Sequence, residues 1–116
     1  MLIRVDPASD VPLFVQVATS VRADAAAGRV HAGDRLPAAR VVAESLGINV
    51  HTVLRAYQEL RDEGLIGVRR GGGAVVTERA ASLSALSDDI RNLVTRSRAL
   101  GISPELLVAL IKENSQ

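Results

Sequence analysis

The chain has 116 residues, 14 basic against 13 acidic side chains and a formal charge of +1, with 47% apolar residues. That composition excludes a disordered tail, a histone-like polycation and any array of large domains. With no cysteine, it also excludes disulfides, thiolate nucleophiles and Cys-ligated metal centres. No apolar run is long enough to suggest a membrane span. Met1–Pro7 lacks the long apolar core of a secretion signal, so a cytoplasmic location and no membrane partner are expected. Phe14 and Tyr57 are the only aromatic residues, so the core must be built from Ala, Val, Leu and Ile. A core that small benefits from pairing with a second copy.

Leu2–Val5 is short, apolar and β-prone, and residues 6–10 break it. A helix follows, with Asp10 as its cap, Pro12 in its first turn, Leu13, Val17 and Val21 repeating every four residues, and Gly28 at its end. His31–Arg35 reads as a loop. Pro37 opens a second helix carrying Val41, Val42, Ala43 and Leu46, and Gly47-Ile48-Asn49 is a tight break. A third helix runs from about Val50 to Glu63. Its buried stripe, Val53, Ala56, Tyr57 and Leu60, has i, i+3, i+4, i+7 spacing. Gly64 ends it.

Residues 65–70 and 74–77 are β-prone runs flanking Gly71-Gly72-Gly73, the pattern of a hairpin. From Ser82 the helical period returns. Leu83, Leu86, Ile90, Leu93 and Leu100 form a heptad seam with Ser97 in the one polar slot. Gly101 breaks it, and Ser103-Pro104 starts a last helix with Leu106, Leu107, Leu110 and Ile111. The expected fold is α+β, mostly α: a winged helix-turn-helix over residues 1–78, then a two-helix dimerisation segment over residues 79–116. The seam residues, with Leu106 and Leu110, are the candidate dimerisation contacts.

Two short helices, a tight turn and a basic hairpin suit double-stranded DNA for geometric reasons. A helix fits the major groove, and its N-terminal residues meet base edges. Off the buried stripe stand Asn49, Val50, His51, Thr52, Leu54 and Arg55. Asn49, His51 and Arg55 can hydrogen-bond to bases, and Thr52 to phosphate. Arg69, Arg70 and Gly71 sit where a glycine-rich tip can approach phosphates or a narrow minor groove. Arg40 on the second helix adds a phosphate contact. The plainer alternatives are a solvated hairpin tip and i, i+4 pairs of Arg40 with Glu44 and Arg55 with Glu59. His31 and His51 lie in different elements, so no metal site or cofactor is expected. Ser103 is a helix cap without a catalytic partner, and the triple glycine lacks the Lys-Ser/Thr of a phosphate-binding loop, so the chain is not read as an enzyme.

The sequence also resembles a known family. Leu36-Pro37-Ala38-Ala39-Arg40, Leu46-Gly47-Ile48-Asn49, Thr52-Val53, Arg55-Ala56-Tyr57, Glu59-Leu60, Glu63-Gly64 and residues 69–73 are similar, in order and spacing, to the GntR family of bacterial transcription regulators. Ile3, Val5-Asp6, Ser9, Pro12-Leu13 and Gln16, with the Asn before the third helix, resemble its short YtrA-type branch. The resemblance implies a homodimeric repressor on a palindromic operator, with Arg40, Asn49, Thr52, Arg55, Arg70 and Gly71 on the DNA. A small-molecule effector is a further expected partner, although no convergent polar cluster identifies one. Three departures stand out: Ala38 where the family has a capping Ser, Val50-His51 where the branch has Pro and Asn, and Ala74-Val75 where the wing has Thr and an aromatic. The alternative reading is a protein-interaction or small-ligand-sensing module that meets DNA incidentally.

Overall fold

A computed structural model describes residues 2–68 and 73–115, so Arg69, Arg70 and Gly71 of the expected wing tip lie outside the described residues. In chain order the elements are α1 (Leu13–Ala26), α2 (Ala39–Leu46), α3 (Val50–Asp62), β1 (Ile66–Val68), β2 (Ala74–Val76), α4 (Arg79–Ala99) and α5 (Pro104–Asn114). They form two compact units, Met1–Ala85 and Leu86–Gln116, with the division inside α4 after Ala85 instead of near residue 78.

In the first unit α1 and α2 both pack on α3. Val17 and Val21 of α1, Val53 and Leu60 of α3 and Val76 of β2 are fully buried. The α3 stripe is buried as its spacing predicts. The α1 stripe differs: Val17, Ala18, Val21 and Ala25 are buried, with Phe14 packed beside them and Leu13 only half-buried. A helix advances 100° per residue, so repeated steps of four drift off a face and steps of three must correct them.

The approach to α1 departs from expectation. Asp10 does not cap the helix, because the N-cap position is Pro12, two residues further on, and carries no side-chain bond. Gln16 fastens this loop instead. Its Oε1 accepts from the Asp6 N–H at 2.6 Å, and its Nε2 donates to the Asp6 and Val11 carbonyls at 3.1 and 2.8 Å. Leu2–Val5 forms no strand; Ile3 is buried and the Arg4 N–H donates to Ser20 Oγ at 3.1 Å, a side-chain partner in place of a ladder.

α2 begins at Ala39, two residues after Pro37, and its N-cap Ala38 makes no side-chain bond, as the absence of a Ser there predicts. Gly47 ends it with φ +68°, which lets the Ile48 N–H turn back to the Ala43 carbonyl at 3.0 Å. The left-handed residue shortens the turn and brings α3 in at once.

β1 and β2 are antiparallel, with Ile66, Gly67 and Val68 opposite Val76, Val75 and Ala74. The segment read as a loop before α2 turns out to pair with β2: Arg35 bridges Val75, and the Gly33 and Leu36 N–H groups donate to Val76 and Ala74 at 2.8 and 2.9 Å. A two-stranded hairpin leaves an outer edge unpaired, and this segment covers it.

α4 starts at Arg79, four residues before Leu83, the first residue of the apolar seam. Arg79, Ala80 and Ala81 suit a helix, and Ala80 is buried in the first unit's core, with Leu83 packed against the same core. In the second unit Ser103 Oγ accepts from the Leu106 N–H at 3.1 Å, so it caps α5 as expected. Ser97 is the one buried residue among the described residues 86–115, and its hydroxyl donates to the Val94 carbonyl at 3.0 Å.

Candidate nucleic-acid interface

α3 is presented by its two neighbours. α1 packs along one side and α2 on another, joined to it through the Gly47-Ile48-Asn49 turn. A buried hydroxyl sets the fit: Tyr57, 9% exposed, donates to the Pro37 carbonyl at 2.7 Å, tying α3 to the start of α2. Burial pushes the Tyr57 phenol up to about 12. A second tie lies at the far end, where Arg22 of α1 holds Glu63 with Nε to Oε1 at 2.9 Å and Nη2 on Oε2. That hydrogen bond holds the Glu63 carboxyl below its ordinary value and raises the Arg22 guanidinium.

The helix face opposite the Val53-Ala56-Tyr57-Leu60 stripe is free. His51, Leu54 and Arg55 are exposed and Thr52 is half-buried. Asn49 stands just before the helix as its cap, with Oδ1 accepting from the His51 N–H at 2.8 Å. Its carbonyl oxygen is thereby occupied, while its amide N–H groups remain available as donors. Arg40 is exposed near the start of α2. Charge is polarised along α3. The carboxylates of Asp62 and Glu63 lie at its C-terminal end, where Gln58 Nε2 donates to Asp62 Oδ1 at 2.9 Å and Arg22 covers Glu63. The end with Asn49, His51 and Arg55 carries no carboxylate until Glu59.

Neither Arg40–Glu44 nor Arg55–Glu59 is among the ion pairs of the described residues. Arg55 instead lies over the ring of Phe14, with Cζ 3.7 Å from the ring centroid. The sequence reading missed this contact. The signal for it was the lone Phe, sitting one residue past Leu13 on the face that α1 turns toward α3. Among the described residues, no group of three or more His, Asp or Glu side chains is placed to hold a metal, and no helix is long and apolar enough to cross a membrane.

A helix-turn-helix with a hairpin behind it is the architecture of many regulators, so family membership needs sequence as well as shape. The pattern of the bacterial regulatory proteins of the gntR family matches residues 13–76, from the start of α1 to the end of β2. The chain belongs to the GntR family. It is similar to the HTH-type transcriptional repressor YtrA of Bacillus subtilis (strain 168), with 30% identity over 120 residues covering 98% of this chain and 92% of that protein. Among solved structures, a GntR family transcriptional regulator from Listeria monocytogenes is 30% identical with a TM-score of 0.63, covering 94% of this chain and 98% of its own. YtrA from Sulfolobus acidocaldarius, a GntR-family transcription factor, is 32% identical with a TM-score of 0.63, covering 85% and 99%. The expected winged helix-turn-helix and the YtrA-like resemblance are therefore both found. This GntR protein is a DNA-binding transcription regulator, the role of its family.

Proposed function

We propose that this GntR protein is a homodimeric, sequence-specific repressor that binds a palindromic operator. The first unit reads DNA, and the second unit, from Leu86 onward, pairs two copies. The observation that carries the proposal is the second unit. Leu86, Ile90 and Leu93 of α4, Leu100 just after it, and Leu106, Leu110 and Ile111 of α5 are all exposed, and no apolar residue of α5 is buried. A groove of about 330 Å³ between these two helices is lined by Leu93, Leu100, Ile102, Leu107, Leu110 and Ile111. A lone helix pair without a buried apolar core is not stable in water, and an apolar face this continuous marks a contact surface. A second copy supplies the matching face and makes a four-helix core. Leu83 packs against the first unit, so the pairing seam runs from Leu86 onward.

On DNA, α3 enters the major groove. Arg55, His51 and Asn49 read bases, Thr52 and Arg40 meet phosphates, and Arg69, Arg70 and Gly71 supply the wing contact. Two copies related by a twofold axis place their half-sites about one helical turn, roughly 34–36 Å, apart. The similarity to the YtrA repressor over nearly the whole chain supports repression as the outcome. A DNA-binding regulator acts inside the cell, which favours the cytoplasm.

The test combines light scattering with fluorescence-anisotropy titration of an operator duplex. The wild type is expected to be a dimer at micromolar concentration. Leu93→Asp is expected to be a monomer whose first unit still folds but which binds the operator at least about a hundredfold more weakly, because the second half-site no longer adds to the first. A wild-type monomer, or a monomeric variant with full operator affinity, contradicts the proposal.

A further inference from the structure

We infer that Phe14 of α1 is a positioning residue for sequence readout: its ring carries the Arg55 guanidinium and presets that side chain for a base. The inference rests on the reading of Arg55 as a base contact. Arg55 is exposed and is the only Arg in the first two turns of α3. An exposed arginine ordinarily spreads over many rotamers and loses that freedom when it docks, which weakens binding. Here Cζ lies 3.7 Å from the Phe14 ring centroid. That is an ordinary carbon–carbon contact distance, so the guanidinium carbon makes the approach and the N–H donors at its edge stay free.

Two further observations agree. Among the described residues Arg55 takes part in no ion pair, Glu59 included, so the ring is what holds it. Phe14 is in turn fixed, packed against the core on a helix that packs on α3. The platform is therefore rigid relative to the helix it serves. A ring that served only the fold would affect every duplex equally. A ring that presets Arg55 affects only the duplex whose base Arg55 reads.

The intact protein, Phe14→Leu, Phe14→Tyr, Arg55→Ala and the Phe14→Leu/Arg55→Ala double variant are titrated against two duplexes. One is obtained by in-vitro selection on the wild type, and the other is a shuffled duplex of the same composition. Thermal unfolding verifies each fold, and Phe14→Met serves as the ring-less variant if leucine does not fold. Removing the ring is expected to lower the preference for the selected duplex about two- to fivefold per half-site, the size of an exposed cation–π contact. Phe14→Tyr is expected to retain the preference, and Phe14→Leu to change nothing further once Arg55 is alanine. The NMR order parameter of the Arg55 Nε–H is expected to drop in the ring-less variant. An unchanged or higher preference in a folded ring-less variant overturns the inference while leaving Arg55 as a reader. An Arg55→Ala protein with unchanged preference overturns both.

Discussion

Tyr57→Phe is the most informative single change in the DNA-binding unit. It keeps the buried ring and deletes one bond, the 2.7 Å donation to the Pro37 carbonyl that ties α3 to the start of α2. A net hydrogen bond contributes about 0.5–1.5 kcal/mol. Pro37 is half-buried, so water replaces the lost donor only in part, and the middle of that range, about 1 kcal/mol, is expected. For a domain of this size that is a drop of about 4–8 °C in the unfolding midpoint. The same residue sets a pH limb. Burial pushes its phenol up to about 12, whereas an unfolded tyrosine ionises near 10. Below the lower value the phenol is neutral in both states and its contribution is complete. Between the two values only the unfolded chain ionises, so stability falls as pH rises, and Tyr57→Phe should flatten that limb. The assay is clean because the chain has one Tyr and no Trp, so tyrosinate absorbance reports a single group. In a pH titration the tyrosinate absorbance should rise with a midpoint well above 10 in the folded protein and near 10 in denaturant. A folded-state midpoint near 10, or an unchanged melting midpoint in Tyr57→Phe, refutes the buried hydrogen bond.

Four other outcomes are expected. Ala38→Ser restores a side-chain cap at a residue already in cap conformation, φ −57° and ψ 141°, and should stabilise by about 1 kcal/mol in thermal unfolding. Gly47→Ala meets no atom within 4 Å but must adopt φ +68°, so a purely conformational loss of about 1–2 kcal/mol is expected in urea unfolding. Glu63→Gln breaks the pair with Arg22, whose side chains are 35% and 43% exposed, and should lose only about 0.3–1 kcal/mol, less in high salt. Because the Glu63 value is lowered in the fold, its contribution is complete above the ordinary Glu value and is lost as pH falls through the folded one; the variant should lack that acid limb in pH-dependent melting. Arg70→Ala should weaken binding to all duplexes alike and reduce the salt slope of log K by about 1 for each bound copy in anisotropy titrations.

Much of this was legible because periodicity and punctuation act locally. The α3 stripe, the Gly47 turn, the hairpin and the Ser103 cap each follow from residues a few positions apart, and each is found. The family resemblance was legible because those local signals fall in a fixed order. What stayed hidden were contacts between segments distant in sequence. Gln16 fastens the loop that Asp10 was expected to end, residues 33–36 pair with a strand forty residues later, and Tyr57 reaches back to Pro37. Side-chain reach of this kind has no period. Arg55 shows the same limit: its spacing suggested a pair with Glu59, and only the packing of α1 on α3 brings Phe14 into competition. Leu83 fits the heptad but is used by the nearer core, because α4 begins four residues before it and Ala80 already lies in that core.

The proposed function stands on sequence-specific recognition of DNA by two copies of α3. In-vitro selection of duplex DNA by the intact protein tests it directly. Enrichment of an inverted repeat whose half-site centres lie about one helical turn apart is expected, bound far more tightly than shuffled duplex at physiological salt. Recovery of no enriched sequence, with binding no tighter than about 10⁻⁶ M to any duplex, contradicts it.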